Sequence, residues 1–240
     1  MHNPSDALIV ALDGDYQQAR DWAVSCHGIA GWVKIGMTLY YELGPTIVSE
    51  LAGLGYQVFL DLKMYDIPHQ VEGAARVLGR LGVGMLTVHG SGGSEMIRAA
   101  KRGASKGAAE IGRPQPLILG VTVLTSSKGE VLQATGINDT MDGQVLRLAR
   151  LAIASGADGI VCSPQEASLL REQLGDDFAM VTPGVRPAWA SADDQARVAT
   201  PGEAIRNGAS HLVVGRPITA HEHPTAAARM ILDEIAEAMG

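Results

Sequence analysis

Eight short apolar segments recur along the 240-residue chain and alternate with longer amphipathic segments. Almost every position in the short segments is apolar, which is typical of parallel strands that are covered on both faces. Such regular alternation restricts the chain to a small group of α/β architectures. The predicted strands are Ala7–Asp13, Trp32–Met37, Gln57–Lys63, Met85–His89, Pro116–Thr125, Gly159–Ser163, Ala179–Pro183 and His211–Arg216.

The amphipathic segments have the spacing of helices that pack one face against a sheet. They are Tyr16–His27, Pro45–Gly53, Val71–Gly82, Ser94–Lys106, Gln144–Ser155, Pro164–Leu174, Pro201–Gly208 and Pro224–Met239. Eight strand–helix repeats without a flexible linker predict a closed (β/α)8 TIM barrel, with residues 1–240 forming a single domain. An open doubly wound sheet is the alternative. That fold usually has a GxGxxG turn after its first strand, and this chain has Leu12-Asp13-Gly14-Asp15 there.

The charge balance limits the classes of partner. The chain has 19 Lys and Arg against 26 Asp and Glu, and its basic residues are scattered, so we expect no nucleic-acid surface. No apolar run approaches the roughly 20 residues of a membrane span, and the N-terminal residues do not resemble a signal peptide. Cys26 and Cys162 form no metal or disulfide pattern. A soluble cytoplasmic protein is therefore expected.

Charged residues stand at the ends of three consecutive predicted strands, where a barrel carries its active site. In the third strand Asp61 and Lys63 share one face, because side chains alternate along a strand. Asp13 and Lys34 have the same inward phase on the first two strands, and Asp66 follows the third. Buried ion pairs stabilise a protein less than apolar packing does. We therefore interpret this alternating array as catalytic rather than as a set of structural salt bridges.

The last two predicted strands end in segments suited to an anion. The seventh leads into Pro183-Gly184-Val185-Arg186 and the eighth into Gly215-Arg216. Barrels often bind phosphate at these loops; a glycine allows close approach of a backbone N–H, and an arginine can hold two phosphate oxygens. The polar segment 184–199 has the composition of a closing lid.

The run Asp61-Leu62-Lys63-Met64-Tyr65-Asp66-Ile67-Pro68 resembles the DxKxxDIP signature of the orotidine 5′-phosphate decarboxylase family. Other family-like segments follow the same order along essentially the whole chain, which looks like the bacterial type. The resemblance implies a carboxy-lyase that converts orotidine 5′-phosphate to UMP in de novo pyrimidine biosynthesis, with no metal and no cofactor. The further segments are Ala11-Leu12-Asp13, Val33-Lys34-Ile35-Gly36, Val121-Thr122-Val123-Leu124-Thr125-Ser126, Thr182-Pro183-Gly184-Val185-Arg186-Pro187, Asp194-Gln195-Ala196-Arg197 and Val214-Gly215-Arg216-Pro217-Ile218.

The resemblance also implies a role for each matching residue. Lys63 would donate a proton to C6 of the pyrimidine, and Asp61 would face the scissile carboxylate. Lys34 would contact the ribose and hold the array together, while Asp13 would bind a ribose hydroxyl. The other substrate-binding residues would be Thr125 and Ser126 at the base, and Pro183, Arg186, Gln195, Gly215 and Arg216 at the phosphate end.

A homodimer is a further implication, because sites in this family lie at a subunit interface. Asp66 would complete the array of the neighbouring subunit. The chain departs from the family pattern nearby, with Tyr65 where His is common and His69-Gln70 where Asn-Thr is common. Gln70 is longer than threonine but still polar, so a similar contact with the neighbouring site is expected.

Two other functions fit parts of the pattern. Hexulose-phosphate synthases and keto-gulonate phosphate decarboxylases share a DxKxxD strand but use an enediolate held on Mg²⁺, and they need a carboxylate near the second strand. Glu42 lies in that neighbourhood, whereas Lys34 and the segment with Arg186 and Gln195 favour the first interpretation. A nucleotide-binding sensor would bind UMP without turnover. This alternative is disfavoured because binding alone does not require an energetically costly array of charges.

The remaining polar candidates carry weaker signals. His221-Glu222-His223 has no third ligand in sequence, so we expect no metal there. His89 ends the fourth predicted strand and either lines the pocket or is a hydrogen-bonded core histidine. Cys162 is expected to be a small buried residue.

Overall fold

A computed structural model describes residues 3–190 and 199–240 of the chain. Its strands are β1 (Leu8–Ala11), β2 (Trp32–Gly36), β3 (Gln57–Met64), β4 (Met85–His89), β5 (Leu117–Val121), β6 (Gly159–Val161), β7 (Ala179–Pro183) and β8 (His211–Val214). Neighbouring strands are parallel and follow the chain order, and β1 pairs with β8 to close the barrel. The TIM barrel predicted from the sequence is confirmed.

Helices connect the strands and cover the barrel. They are α1 (Pro4–Ala7), α2 (Tyr16–Cys26), α3 (Met37–Leu43), α4 (Thr46–Gly53), α5 (Pro68–Gly79), α6 (Gly93–Glu110), α7 (Gly129–Ala134), α8 (Met141–Ala154), α9 (Ala167–Leu174), α10 (Pro201–Arg206), α11 (Arg216–Thr219) and α12 (Pro224–Met239). The turn Gly90–Gly92 between β4 and α6 is a 3-10 helix. No helix within the described ranges is long and apolar enough to cross a bilayer.

Local sequence explains where several helices begin. Asp15 caps α2, accepting from the backbone N–H of Gln18, whose side chain accepts from the backbone N–H of Asp15 in return. Thr200 and Glu203 form the same reciprocal pair at α10. Each pair satisfies two N–H groups that have no partner within the helix. Proline at the first position of α5 fixes φ and starts that helix three residues before the predicted Val71.

Apolar residues fill the barrel interior below its carboxyl end. Phe59 of β3 is 1% exposed there, and burying a side chain of this size stabilises the fold by about 1.5–3 kcal/mol. A larger apolar cluster lies between the strands and the helices. We call the interior cluster the barrel floor; it consists of Ile9, Ala11, Phe59, Met85, Leu119, Val181 and Val213.

Several predicted boundaries are wrong at the carboxyl ends of strands. β5 ends at Val121 rather than Thr125, and the chain turns at Leu124, whose carbonyl accepts from the N–H of Ser127. β8 ends at Val214, and Arg216 begins α11. Past β5 the apolar residues Val123 and Leu124 line a cavity, so hydrophobicity alone gave a strand that is too long. Past β8, Gly215 and Arg216 line the same cavity instead of pairing with a neighbouring strand. The short helices α1, α3, α7 and α11 were missed because four to seven residues show little periodicity.

Candidate active site

A cavity of about 350 Å³ opens at the carboxyl ends of the strands. This volume suits a small-molecule ligand. Of the thirteen predicted site residues, ten line the cavity. These ten are Asp13, Lys34, Asp61, Lys63, Thr125, Ser126, Pro183, Arg186, Gly215 and Arg216. Gln195 lies outside the described residues, and Asp66 and Gln70 lie outside the cavity.

Four charged side chains form a continuous array on the β1–β3 side of the cavity. Lys34 Nζ lies 3.1 Å from Asp13 Oδ1 and 3.9 Å from Asp61 Oδ2. Lys63 Nζ lies 2.8 Å from the same Asp61 Oδ2. Carboxylates and ammonium groups therefore alternate in the order expected from the sequence, from Asp13 through Lys34 and Asp61 to Lys63.

The centre of this array is shielded from water. Only 11% of the Lys34 side chain and 13% of the Asp61 side chain are exposed, against 65% for Asp13. Charges interact more strongly as the surrounding dielectric falls, so the Lys34–Asp61–Lys63 part of the array creates a strong local field. A ligand entering the cavity meets fixed charges of both signs.

The backbone of β3 is irregular where it carries Asp61 and Lys63. Leu60 pairs with Leu86 of β4, but the next pair is Met64 with Val88, so four steps along β3 match two along β4. Bulges of this kind redirect side chains near active sites. Lys63 has φ +50°, the only positive value at a non-glycine among the described residues. Such a backbone costs about 1–3 kcal/mol and persists only where the surroundings hold it.

Thr87 of β4 lies beside this irregular segment and was missed by the sequence analysis. Its side chain is buried, and its Oγ1 lies 2.9 Å from Asp61 Oδ1 and 2.8 Å from the backbone nitrogen of Lys63. A signal was present: Met85, Thr87 and His89 share one face of a strand, and Thr87 is a polar residue in a phase where an apolar floor residue is expected.

The part of the cavity formed at β7 and β8 carries two arginines. Arg186 is 8% exposed, and its backbone N–H donates to the carbonyl of Ala199 at 2.9 Å. Val185 and Ala199 also form a parallel bridge, which brings together the two ends of the 184–199 segment. Arg216 is exposed at the start of α11. The cavity is lined by four cationic side chains and two carboxylates, although the whole chain has a net charge of −7.

Asp66 and Gln70 belong to an exposed segment after β3. Asp66 Oδ1 accepts from the backbone N–H of Ile67 at 2.6 Å, and Gln70 lies in the first turn of α5. Two large apolar side chains of the same segment are also exposed, Tyr65 at 62% and Ile67 at 63%. Within one chain these two polar residues are therefore separate from the array.

His89 lies behind the array rather than among the residues that line the cavity. Its ring meets Tyr65 edge-on, with the centroids 5.4 Å apart. Burial lowers the pKa of His89, the nearby positive charge of Lys63 lowers it further, and Asp61 acts in the opposite direction. The sequence left two positions open for His89, a residue that lines the pocket or a hydrogen-bonded core histidine, and neither describes this half-buried position fully.

The described residues contain no group of three or more His, Cys, Asp or Glu side chains arranged for a metal ion. Glu42, the carboxylate that the enediolate alternative needs, is exposed on α3 and does not line the cavity. His221 lies near Trp189, with 5.5 Å between the ring centroids, and the ring of His223 lies 6.4 Å from that of His221. Cys162 is buried as expected.

Comparison with known proteins identifies the family. The sequence profile of the orotidine 5′-phosphate decarboxylase / HUMPS family matches residues 6–231. The chain belongs to this family. That assignment confirms the family expected from the DxKxxDIP run, and with it the expected class of enzyme. The family description covers both the decarboxylases and the related HUMPS enzymes, so individual relatives are informative.

Relatives within the orotidine 5′-phosphate decarboxylase / HUMPS family match nearly the full length. The protein named orotidine 5′-phosphate decarboxylase from Heliobacterium modesticaldum is 48% identical over 98% of this chain and 97% of its own. The protein of the same name from Moorella thermoacetica is 48% identical over 96% of this chain and 92% of its own. A crystal structure of the Lactobacillus acidophilus enzyme of that name superposes with a TM-score of 0.86 at 42% identity, covering 96% of this chain and 99% of the other.

Proposed function

We propose that this chain decarboxylates orotidine 5′-phosphate to UMP in de novo pyrimidine biosynthesis, without a metal or cofactor. The observation that carries the proposal is the Asp61–Lys63 ion pair of 2.8 Å at one side of a cavity whose other side has Arg186 and Arg216. The relatives named orotidine 5′-phosphate decarboxylase support the same substrate.

The chemistry explains why a fixed ion pair suits this reaction. Loss of CO₂ breaks the bond between C6 and the carboxylate and leaves the electron pair on an sp² carbon that has no adjacent electron sink. The Lys63 ammonium stabilises that developing anion and then gives its proton to C6. Asp61 faces the substrate carboxylate and disfavours it relative to the transition state. Charges held in place before the reaction need no reorganisation during it.

Lys34 and Asp13 extend the array toward the ribose. Lys34 lies between two carboxylates, which hold its ammonium group in position. Asp13 is the most exposed member, and its second oxygen is available for a ribose hydroxyl. The two residues therefore bind the sugar and support Asp61.

The remaining residues that line the cavity bind the ends of the substrate. Thr125 and Ser126, which follow β5, address the pyrimidine. The phosphate is held by Arg186, Gly215 and Arg216, and we assign Gln195 to the same group. Pro183 lines the cavity beside them and contacts the substrate there. Binding energy from a phosphate that does not react contributes to orienting and straining the reacting end. Closure of the 184–199 segment over the substrate belongs to the same proposal.

We further infer that two copies of the chain form a homodimer. An exposed apolar patch near Asp66 and Gln70 supports this inference, because large apolar patches on a surface mark interaction sites. If a second copy packs on the patch, Asp66 and Gln70 of each subunit come close to the charged array of the other subunit. The patch consists of Met37, Tyr41, Tyr65, Ile67 and Val77, each 46–71% exposed. We propose a single cytoplasmic domain of residues 1–240 as the repeating unit.

Ultraviolet absorbance tests the activity directly. Orotidine 5′-phosphate is added to the purified protein with and without EDTA, and loss of the orotate chromophore is followed. Equal loss in both cuvettes supports a decarboxylase that needs no metal. Loss that EDTA abolishes, or no loss together with turnover of a phosphosugar in Mg²⁺, favours the enediolate enzymes. Tight UMP binding without any turnover favours a sensor.

Mixed subunits test the dimer. Asp66→Asn and Lys63→Ala proteins, each inactive alone, are mixed under conditions that exchange subunits. If Asp66 acts on its neighbour, one of the two sites in each heterodimer carries neither change. The heterodimers therefore regain activity at up to half of their sites, while the homodimers stay inactive. Verified exchange without recovery contradicts the contribution of Asp66 to the other subunit.

A further inference from the structure

We propose that Thr87 is a positioning residue that holds Asp61 and Lys63 in their reactive geometry. This inference rests on the decarboxylation proposed above and adds to it a residue outside the cavity lining. Thr87 lies in β4, and only 1% of its surface is exposed. It acts through its two charged neighbours and does not touch the substrate.

One hydroxyl makes both contacts without conflict. Thr87 Oγ1 accepts a hydrogen bond from the backbone N–H of Lys63 at 2.8 Å. It donates its own proton to Asp61 Oδ1 at 2.9 Å. A hydroxyl has one proton and two lone pairs, so these two roles are compatible. A single buried atom thus links the backbone of the proton donor to the carboxylate beside it.

The contact with Lys63 replaces a backbone bond that the sheet cannot supply. Between the pairs Leu60–Leu86 and Met64–Val88 the β3–β4 ladder is interrupted. The Lys63 N–H lies in this gap, where it finds the side chain of Thr87 instead of a carbonyl. Because φ at Lys63 is +50°, the backbone conformation depends on such local support.

The contact with Asp61 fixes the rotation of its carboxylate. Oδ2 of Asp61 lies 2.8 Å from Lys63 Nζ and 3.9 Å from Lys34 Nζ. Oδ1 receives the Thr87 hydroxyl. With both oxygens engaged, the carboxylate cannot turn about its Cβ–Cγ bond without breaking a hydrogen bond. Loss of the hydroxyl releases this rotation and the support at Lys63 together.

Matched variants separate positioning from packing. Thr87→Val keeps the volume and removes the hydroxyl, and Thr87→Ser keeps the hydroxyl and removes the methyl group. Thr122→Val is the control, since Thr122 is also buried and its hydroxyl donates to the backbone carbonyl of Val161 at 3.0 Å, away from the array. For each protein we would measure kcat, KM, the dissociation constant of UMP and the thermal unfolding temperature.

We expect Thr87→Val to lower kcat on the order of 10- to 100-fold, because small displacements of reacting groups have effects of this size. The dissociation constant of UMP is expected to stay within about twofold, because UMP lacks the carboxylate that Asp61 faces and the ribose and phosphate contacts remain. Thr87→Ser should recover most of the rate. Thr122→Val should retain the wild-type kcat.

Several outcomes overturn the inference. A folded Thr87→Val protein with wild-type kcat does so, as does a Thr87→Ser protein as slow as Thr87→Val. A parallel loss of UMP affinity and rate would show a general structural role. If Thr87→Val does not fold, Thr87→Ala provides the same comparison of kcat with UMP affinity. Inactive wild-type protein contradicts the proposed function itself, whereas active wild type with unimpaired Thr87→Val contradicts only the role of Thr87.

Discussion

The barrel floor and the charged residues that line the cavity are held by different forces, although one strand contributes to both. We call the second group the rim; it consists of Asp13, Lys34, Asp61, Lys63, Arg186 and Arg216. β3 contributes Phe59 to the floor, where it packs among apolar side chains and is almost fully buried. Two and four residues later it contributes Asp61 and Lys63 to the rim, where ion pairs and one threonine hydroxyl hold them. Regular alternation is enough for the floor, whereas the rim also needs an irregular backbone. Stability and chemistry are therefore separated within eight residues.

Substitution of Lys63 should give the largest loss of activity. We expect Lys63→Ala to fold and to bind UMP but to lose at least about 10³-fold in kcat, because in the proposed mechanism Lys63 is both the proton donor and the stabilising charge. Lys101→Ala is a matched control, since Lys101 Nζ also lies 2.8 Å from a carboxylate, that of Asp158, away from the cavity. Substantial turnover by Lys63→Ala, measured by absorbance, would contradict the assigned role and the contrast between rim and floor.

Substitutions in the barrel floor should lower the free energy of unfolding. Phe59→Ala leaves a cavity in a closely packed interior, and we expect it to lower the free energy of unfolding by about 3–5 kcal/mol. Phe59→Leu should cost less, because it fills more of the same space. Denaturant unfolding measures both. A loss below about 1 kcal/mol for Phe59→Ala would contradict the floor as a main source of stability.

The side of the rim that we propose to bind phosphate should show an intermediate effect. Removing a charged hydrogen-bond donor to phosphate weakens binding by about 1.5–3 kcal/mol, so Arg186→Ala should raise KM about 10- to 100-fold. Arg113→Ala is the control, because Arg113 is exposed before the amino end of β5, at the opposite end of the barrel. Steady-state kinetics give the answer, and an unchanged KM would remove Arg186 from the phosphate site.

The smallest effect is expected at His89, the last residue of β4, whose pKa is affected by both Lys63 and Asp61. Because the pKa of His89 is lowered in the folded chain, the unfolded chain takes up a proton at higher pH. The contribution of His89 to stability is therefore complete above about pH 6.5 and is lost as pH falls through the lower folded pKa. Between pH 7.5 and 5.5 the free energy of unfolding should fall more in wild type than in His89→Gln. The difference between the two proteins should be below about 1 kcal/mol, since solvent screens a half-buried group.

Urea unfolding at the two pH values measures this difference. His69→Gln serves as the control, because His69 is exposed on the first turn of α5. Identical pH dependence of stability in wild type and His89→Gln would contradict the lowered pKa of His89, and with it the combined effect of burial and of the Lys63 charge.

Much of the fold could be predicted from the sequence because strands and helices have local periodicities of about two and 3.6 residues. Eight strands, the barrel and ten of the cavity residues follow from that periodicity and from the resemblance of motifs such as Asp61–Pro68. Boundaries at the carboxyl ends failed, as at Thr125 and Arg216, because residues there face a cavity and not a neighbouring strand.

The sequence by itself determined which side chains reach the carboxyl end of the barrel, since strand phase and strand order are properties of the chain. Only the tertiary structure decided how those side chains are held. The register shift opposite β4, the positive φ of Lys63 and the two hydrogen bonds of Thr87 all depend on a strand more than 20 residues away in sequence. Local patterns mark Thr87 as a polar residue in an apolar phase but do not identify its partners, because a buried hydroxyl finds its partners only after the strands have paired.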